Sequence, residues 1–186
     1  PANLRDMGKS WNLSGGSYAE RLARFRKHGL AVYGTFIFGY DNDDRDLVQR
    51  SVDFAREQKL FLAAFNHLVP FPGTRLYRQF QQQGRLLSSR WWLDPNGRVG
   101  DVVFRPKKVS PDELQALCLD ARRQFYSWRS VFGRLWDLQA NASNWLMVAV
   151  FLALNLDAHY DIDRRQGLRL GAGLKRWEPV HEPVSV

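Results

Sequence analysis

Apolar and polar positions in the first half of the chain follow helical and strand-like patterns in turn. Apolar residues recur with helical spacing over residues 17–28, where Ser17 can cap the helix start. An almost continuous apolar run follows over residues 30–38, and a second covers residues 60–69. Apolar runs of this kind indicate strands that are buried on both faces, as in a parallel sheet.

Further helices are expected after each of these strands. One helical stripe begins behind the acidic residues of 41–44 and reaches about Gln58, and a short helix is expected from Arg75 to about Gln83. The order helix, strand, helix, strand, helix is typical of parallel βα units. Because two strands cannot close a barrel, the missing strands are expected from another chain or from residues absent here.

The second half of the chain is predicted to be mostly helical. Ser110 and Pro111 form a helix-start signal, and the apolar stripe that follows predicts one long helix as far as Leu135. Another helix is expected over about residues 141–156. Its apolar run is shorter than the ~20 residues that a bilayer span needs, so it is interpreted as a buried helix and no transmembrane segment is predicted.

These patterns divide the chain into three predicted parts. Residues 1–86 form the α/β part, residues 87–170 form a mostly helical extension with the strand-like stretch 102–104, and residues 171–186 form a loosely ordered tail without periodicity. The fold class expected from this division is α/β, an incomplete (β/α) barrel followed by an α-helical extension.

Composition limits the classes of protein that the chain can belong to. A hydrophobic fraction of 45% among 186 residues supports a packed core and argues against global disorder. The net charge of +8 suits an anionic partner, but a basic enzyme surface explains it as well, and nucleic acid is not indicated beyond that charge. The single cysteine, Cys118, excludes a disulfide framework and is compatible with a cytoplasmic location.

Two segments combine a predicted strand with a polar turn rich in Gly or Pro. The first is YGTFIFGYD at residues 33–41, and the second is FNHLVPFPGTRLY at residues 65–77. In α/β proteins ligands bind at the carboxyl ends of the strands, where both turns lie. Taken alone, either segment is more simply interpreted as a structural strand-to-helix turn.

Together the two segments resemble the fifth and sixth strands of the radical S-adenosylmethionine (SAM) barrel, most closely in the subgroup with a cobalamin-binding domain. The later stretches VVFRPKKVSPDEL, FYS and RRQGL are similar to that subgroup's extension. The resemblance implies SAM, a [4Fe–4S] cluster that cleaves SAM to start radical chemistry, and cobalamin in a domain outside this chain. It also implies that the N-terminal part of the barrel is a partner of these residues.

The resemblance also implies which residues bind SAM. Ile37 and Gly39 match the family's G-x-I-x-G-x-x-E motif on the adenine, whereas Thr35 and Asn42 depart from it. Backbone groups from Asn66 through His67 to Leu68 would face the adenine edge. The His67 side chain is a candidate contact for substrate or SAM, with a half-buried structural histidine as the alternative.

Lys9 is a further candidate, because its ammonium group could reach the SAM carboxylate, although a solvated surface lysine is the simpler interpretation. The chain lacks the family's C-x3-C-x2-C cluster motif, so it is interpreted as a fragment that is inactive alone, with no metal ligands and no catalytic residue assigned. A non-catalytic half-barrel scaffold and a basic nucleic-acid-binding module are kept as alternatives.

Overall fold

The computed structural model describes residues 16–170 as an α/β structure with a two-stranded parallel sheet. A 3₁₀ helix at Trp91–Leu93 lies in the long connection between the first three helices and the last three. In chain order, the elements are α1 (Tyr18–Lys27), β1 (Tyr33–Phe38), α2 (Arg45–Glu57), β2 (Leu62–His67), α3 (Arg75–Gln82), α4 (Pro111–Phe125), α5 (Trp128–Leu135) and α6 (Trp145–Arg165). The predicted α/β order is confirmed at this level.

Each of these six helices begins at a side chain that caps it. The capping oxygen accepts a hydrogen bond from a backbone N–H of the first turn, which would otherwise lack a partner. Ser17 and Glu20 form a reciprocal capping box at α1, as the sequence pattern predicts for a helix start. The caps of α1 to α6 are Ser17, Asp44, Thr74, Ser110, Ser127 and Asn144.

The second half departs from the predictions in two places. The single long helix expected from Ser110 to Leu135 is wrong, because Ser127 ends one helix and starts the next. Its hydroxyl donates to the carbonyl of Gln124 and accepts from the N–H of Ser130. The strand-like stretch 102–104 is not a strand either, and it forms only an isolated antiparallel bridge between Phe104 and Leu86.

The interpretation of the apolar run as a buried helix is also wrong. α6 is longer than predicted, and its most apolar window is only 11% buried. By length and composition alone it is a helix that could cross a membrane, the one such helix among residues 16–170. Its inner face is held to the protein by Phe151 and Asn155, which are fully buried.

One face of the sheet carries the core. The parallel register places Phe36 beside Phe65, and their rings stack at 5.1 Å between centroids. Phe65 also contacts Phe125 of α4, while Val52 of α2 is fully buried in the same core. The core thus joins residues from both sides of position 86, and the predicted division of the chain into parts stays a prediction.

The opposite face of the sheet is open within the described part of the chain. Tyr33 is 63% exposed and Ile37 is 46% exposed, and Thr35 and Asn66 are exposed beside them. The expectation that both strands are buried on two faces is therefore wrong for residues 16–170. A parallel sheet normally has both faces covered, so this face is unusual.

The two outer edges of the sheet also differ. Along β2, the hydroxyl of Tyr126 donates to the carbonyl of Ala63 and accepts from its N–H, at 2.9 and 3.2 Å. The guanidinium of Arg122 donates to the carbonyl of Phe65 at 3.0 Å. These side chains occupy the backbone groups that another strand would need, so no further strand can pair with the outer edge of β2.

Arg134 anchors the same edge from α5. It is 1% exposed, and its guanidinium donates to the carbonyls of Leu60, Phe61 and Phe125 and to the Oδ1 of Asn155. The cation also lies 3.7 Å above the ring of Phe125. Burial lowers the pKa of Arg134 to about 9, and carbonyl dipoles rather than a carboxylate stabilise its charge.

Candidate functional site

A cleft of about 600 Å³ opens at the carboxyl end of β2. This volume falls in the range of small-molecule sites, and the carboxyl end of a parallel strand is where α/β proteins bind ligands. One wall is apolar and aromatic, and the other carries charged side chains. The lining includes His67, Val69, Phe71, Leu87, Trp91, Arg98, Asp101, Asp112 and Gln115.

The aromatic wall is built by the turn that follows β2 and by the 3₁₀ helix. The indole N–H of Trp91 donates to the carbonyl of Pro70 at 3.3 Å, which fixes the ring against the turn. The ring of Phe71 lies 6.3 Å from that of Trp91, and Phe71 is 59% exposed. Trp92 packs edge-on against Trp91 from behind and supports it. Flat apolar surfaces of this kind bind planar groups well.

The charged wall comes from the loop that carries Asp94 and from the start of α4. The side chain and the carbonyl of Asp94 accept hydrogen bonds from the N–H groups of Asn96 and Gly97, which forms the turn that the sequence predicts there. The carboxylate of Asp101 accepts from the N–H of Arg98 at 2.7 Å. The loop therefore holds acidic and basic groups on one side of the cleft.

His67 is the histidine that lines the cleft, at the end of β2. Its Nδ1 lies 3.1 Å from the carbonyl of Leu68, so the N–H at Nδ1 donates there. Burial lowers the pKa of His67 below its ordinary value, and it outweighs hydrogen bonds to the backbone of Leu68 and Gly100, which act in the opposite direction. The lowered pKa favours the neutral imidazole with its proton on Nδ1, so that Nε2 is the basic nitrogen, and the backbone of Gly100 lies within hydrogen-bonding reach of the ring.

The carboxyl end of β1 is rigid. The carboxylate of Asp43 accepts from the N–H groups of Gly39 and Tyr40 at 2.9 and 3.0 Å. Gly39 has a φ of +104°, and a Cβ there would come within 2.8 Å of Phe104 and 2.9 Å of Leu114. Packing against these two side chains explains the glycine, and the space beside it is not open to a ligand.

Asp41 lies beyond that turn and forms an ion-pair group. It accepts from Arg85 at 2.7 Å and pairs with Lys107 at 2.6 Å. Burial opposes its ionisation, but the hydrogen bonds from Lys107 and Arg85 outweigh burial and lower the pKa of Asp41. The group ties the turn after β1 to the loop before α4.

The residues expected to bind SAM lie in different surroundings. Ile37 and Asn66 are register partners on the open face of the sheet, so their side chains lie side by side. His67 projects to the other face and lines the cleft, and Leu68 is buried between the two strand ends. Lys9 lies outside the described residues. The structure therefore brings Ile37 and Asn66 together and separates them from His67.

Sequence reasoning missed most of the cleft. The sequence patterns do not single out the side chains of Phe71, Trp91, Arg98, Asp101 and Asp112, which line the cleft. The turn signal at residues 94–97 marks the loop but does not show that it folds over the end of β2. Cys118 is 1% exposed and burial raises its pKa to about 12, so its thiol stays protonated and unreactive at neutral pH.

Metal-binding groups are absent from the described range. Residues 16–170 contain no group of three or more His, Cys, Asp or Glu side chains that could hold a metal ion. The finding covers only that part of the chain, and the expectation of no metal ligands stays a prediction. Of the acidic residues of the cleft, Asp94 and Asp101 accept hydrogen bonds from backbone N–H groups.

Three curated proteins are similar to this chain, and all are named as methyltransferases. The bacteriochlorophyllide d C-12(1)-methyltransferase of Chlorobaculum tepidum is 27% identical over 152 residues, which cover 82% of this chain and 31% of that protein. The bacteriochlorophyllide d C-8(2)-methyltransferase of the same organism is 25% identical over 117 residues, covering 63% of this chain and 25% of that protein.

The third relative is an uncharacterized methyltransferase of Pyrococcus horikoshii, 29% identical over 101 residues, which cover 54% of this chain and 21% of that protein. The chain spans less than a third of the length of the curated relatives it matches. No protein-family model matches the chain. No solved structure matches it.

These relatives correct the function drawn from the two strand motifs. Their names give methyl transfer, and none gives a radical reaction, an iron–sulfur cluster or cobalamin. On this finding, the assignment to the radical SAM family is replaced by methyltransferase similarity. The predicted cleavage of SAM at a [4Fe–4S] cluster and the predicted cobalamin are corrected with it.

Proposed function

We propose that this chain is part of an enzyme that transfers a methyl group from SAM to a planar, largely apolar acceptor. The observation that carries the proposal is the similarity to three methyltransferases, two of which are named for bacteriochlorophyllide d. The cleft at the carboxyl end of β2 supports it, because its aromatic wall suits a flat conjugated acceptor.

In this proposal His67 takes up the proton that the methyl acceptor releases. When an acceptor atom gains a methyl group in place of a hydrogen, a proton is released overall, and a neutral imidazole can accept it. His67 meets this need because its lowered pKa keeps the ring neutral at pH 7 and it lines the cleft. The side chains of Phe71 and Trp91 hold the plane of the acceptor next to it.

In the same proposal SAM lies across the carboxyl ends of the two strands, so that its nucleoside contacts the open face while its methyl group reaches over the strand ends to the cleft beside His67. Ile37 and Asn66 are exposed there side by side at the carboxyl end, so they offer an apolar and an amide contact to a nucleoside. Gly39 and Leu68 then shape the backbone at the strand ends without contacting SAM through side chains. Lys9, outside the described residues, is retained as a contact to the SAM carboxylate.

We also propose that the sheet continues through β1. The outer edge of β2 is occupied by side chains, whereas the open face and the outer edge of β1 meet no described residue that covers them. The chain matches less than a third of each relative, so the rest of such a protein is the source of further strands. The fold would then be an α/β sheet of which residues 16–170 form one end.

The proposal is tested on the full-length gene product with SAM carrying a ¹⁴C-labelled methyl group and bacteriochlorophyllide d as the acceptor. We expect label in the extracted pigment. His67→Gln should lower kcat at least tenfold (about 1.4 kcal/mol) and flatten the acid limb of the pH profile, because the proton acceptor is lost.

The matched control is His28→Gln, since His28 is exposed at the end of α1 and should leave the rate unchanged. Labelled SAM bound without transfer to any porphyrin or chlorin acceptor would contradict the proposed acceptor class. A full-length product that neither binds SAM nor transfers label would contradict the methyltransferase proposal itself. An unchanged pH profile in His67→Gln would remove the role of His67 alone.

A further inference from the structure

The segment from residue 130 to residue 156 presents no exposed charge. A quarter of the whole chain is charged, yet this segment contains only Arg134 and Asp137, and both are buried. The segment includes most of α5, the connecting loop and the first half of α6. Its outer surface is therefore made of apolar and neutral side chains alone.

Large apolar side chains are exposed along this segment. Trp136 is 75% exposed, Leu138 is 73% exposed and Trp145 is 81% exposed. On α6, the exposed surface continues along one face of the helix for about two turns, through Leu146, Ala149, Val150, Ala153 and Leu154. An exposed apolar surface of this extent marks an interaction site, since scattered single residues would need no explanation.

Basic residues border one side of the segment. The ammonium group of Lys59 donates to the carbonyl of Trp136 at 2.6 Å. The last turn of α1 contains Arg24, Arg26 and Lys27 and no acidic residue, and Gly29 just beyond it lies against the carbonyl of Gln139. On another side, Asp53 and Glu57 line a pocket with Ser130 and Gly133 of the segment, where Arg56 and Arg129 lie beside them, and Asp157 is exposed directly after the segment on α6.

We infer that the segment 130–156 docks on the surface of an anionic lipid bilayer. Tryptophan is enriched at membrane–water interfaces because its ring is apolar while its indole N–H remains hydrated. A charge-free apolar surface next to a basic border is the arrangement that enters headgroups and attracts anionic lipids. The net charge of +8 acts in the same direction.

The segment lies on the membrane and does not cross it. The inner face of α6 is fastened to the protein, because Asn155 accepts from Arg134 and donates to the carbonyl of Phe61. Phe151 packs edge-on against Phe61 at 5.1 Å. Inserting α6 across a bilayer would break these buried hydrogen bonds, so only its outer face and the loop enter the interface.

The test is sedimentation of the full-length protein, without SAM or acceptor, with vesicles of phosphatidylcholine and phosphatidylglycerol in equal amounts. We expect binding that is weaker on pure phosphatidylcholine and weaker at high salt. The variant Trp136→Ser/Leu138→Ser/Trp145→Ser should lose at least tenfold in affinity on both vesicles. Arg24→Gln/Lys27→Gln should lose affinity on the anionic vesicles only.

The control variant Leu93→Ser/Leu168→Ser removes exposed apolar side chains outside the segment and should bind like the unchanged protein. Circular dichroism checks that each variant is folded. Failure of the unchanged protein to bind anionic vesicles, or equal binding by the triple variant, would overturn the inference.

Three further results would also overturn the inference. Concentration-dependent dimers that the triple variant abolishes would assign the segment to a second copy of the chain. Tryptophan fluorescence that acrylamide fails to quench at Trp136 and Trp145 without vesicles would assign it to the rest of the protein. Resistance to alkaline extraction from membranes would make α6 a spanning helix. None of these readouts depends on methyl transfer.

Discussion

The two edges of the sheet differ in how their backbone groups are satisfied. Along β2, side chains from three helices bond to the outward groups of Phe61, Ala63 and Phe65. Beside β1, the carbonyls of Val32 and Phe38 accept hydrogen bonds from the N–H groups of residues that flank β2. The backbone N–H and C=O groups of even-numbered residues in β1 therefore face inward, toward β2, and those of odd-numbered residues face outward, away from it. Among residues 16–170, no backbone or side-chain hydrogen bond to those outward groups is present, although side chains of α1 and α2 line a pocket beside Gly34–Phe36.

The difference shows which edge of the sheet can pair with a further strand. Unpaired strand edges invite pairing with another strand, and side chains that occupy the edge groups prevent it. At β2 the protein uses Arg122, Tyr126 and Arg134 for this purpose, with Asn155 behind them. At β1 nothing equivalent is present in the described range, and the adjacent face is open as well. Further strands can therefore join only at β1.

The largest effect on stability is expected from removing the guanidinium of Arg134, which bonds to backbone carbonyls at the outer edge of β2. Arg134→Met should destabilise the protein by about 3–5 kcal/mol, because the carbonyls of Leu60 and Phe125 and the Oδ1 of Asn155 lose their donor in a buried site. Urea unfolding measures the change. Arg129→Met on the same helix is the control, and its exposed side chain should change stability by less than about 0.5 kcal/mol. Equal effects from the two variants would show that the edge contacts are unimportant.

A smaller effect is expected from deleting a single hydroxyl at the same edge. Tyr126→Phe leaves both the N–H and the carbonyl of Ala63 without that partner and should cost about 1–3 kcal/mol. The matched change Tyr160→Phe removes an exposed hydroxyl and should be neutral in the same unfolding experiment. If Tyr126→Phe also leaves stability unchanged, water or another strand must be able to bond to the N–H and the carbonyl of Ala63 in place of the hydroxyl.

The smallest effect concerns the pH dependence contributed by His67 on the covered face. Its folded-state pKa is lowered, so the unfolded chain takes up a proton at a higher pH than the folded protein does. The stability that depends on neutral His67 is thus present above its unfolded pKa and is lost as pH falls through the lowered folded value. Urea midpoints at neutral and acidic pH should show this loss, and His67→Gln should reduce it while His28→Gln keeps it.

Local sequence signals predict much of the fold. The starts of α1 and α4 follow from Ser17 and Ser110, and the parallel pairing of β1 with β2 follows from the two apolar runs and the helix between them. These features depend on neighbours in the chain, which a sequence shows directly. The break at Ser127 is also local, but the apolar stripe that continues across it conceals it.

Features that depend on distant residues could not be predicted in this way. The bond from Arg134 to the carbonyl of Leu60 joins residues far apart in the chain, and nothing about an arginine in a helix marks it as buried. The cleft beside His67 needs the loop around Asp101 to fold over β2. Exposure of α6 likewise depends on what packs against it, so its apolar composition alone led to the wrong expectation.

Hydrogen exchange at the outer edge of β1 in the full-length protein tests the central claim most directly. Residue-resolved exchange would compare the outward N–H groups of Thr35 and Ile37 with the inward N–H of Phe36. If the sheet continues through β1, we expect all three to be protected to a similar degree, because outward and inward groups are then both hydrogen-bonded. Exchange of Thr35 and Ile37 at the rate of an exposed loop, with Phe36 still protected, would show that β1 is a true edge and would contradict the account.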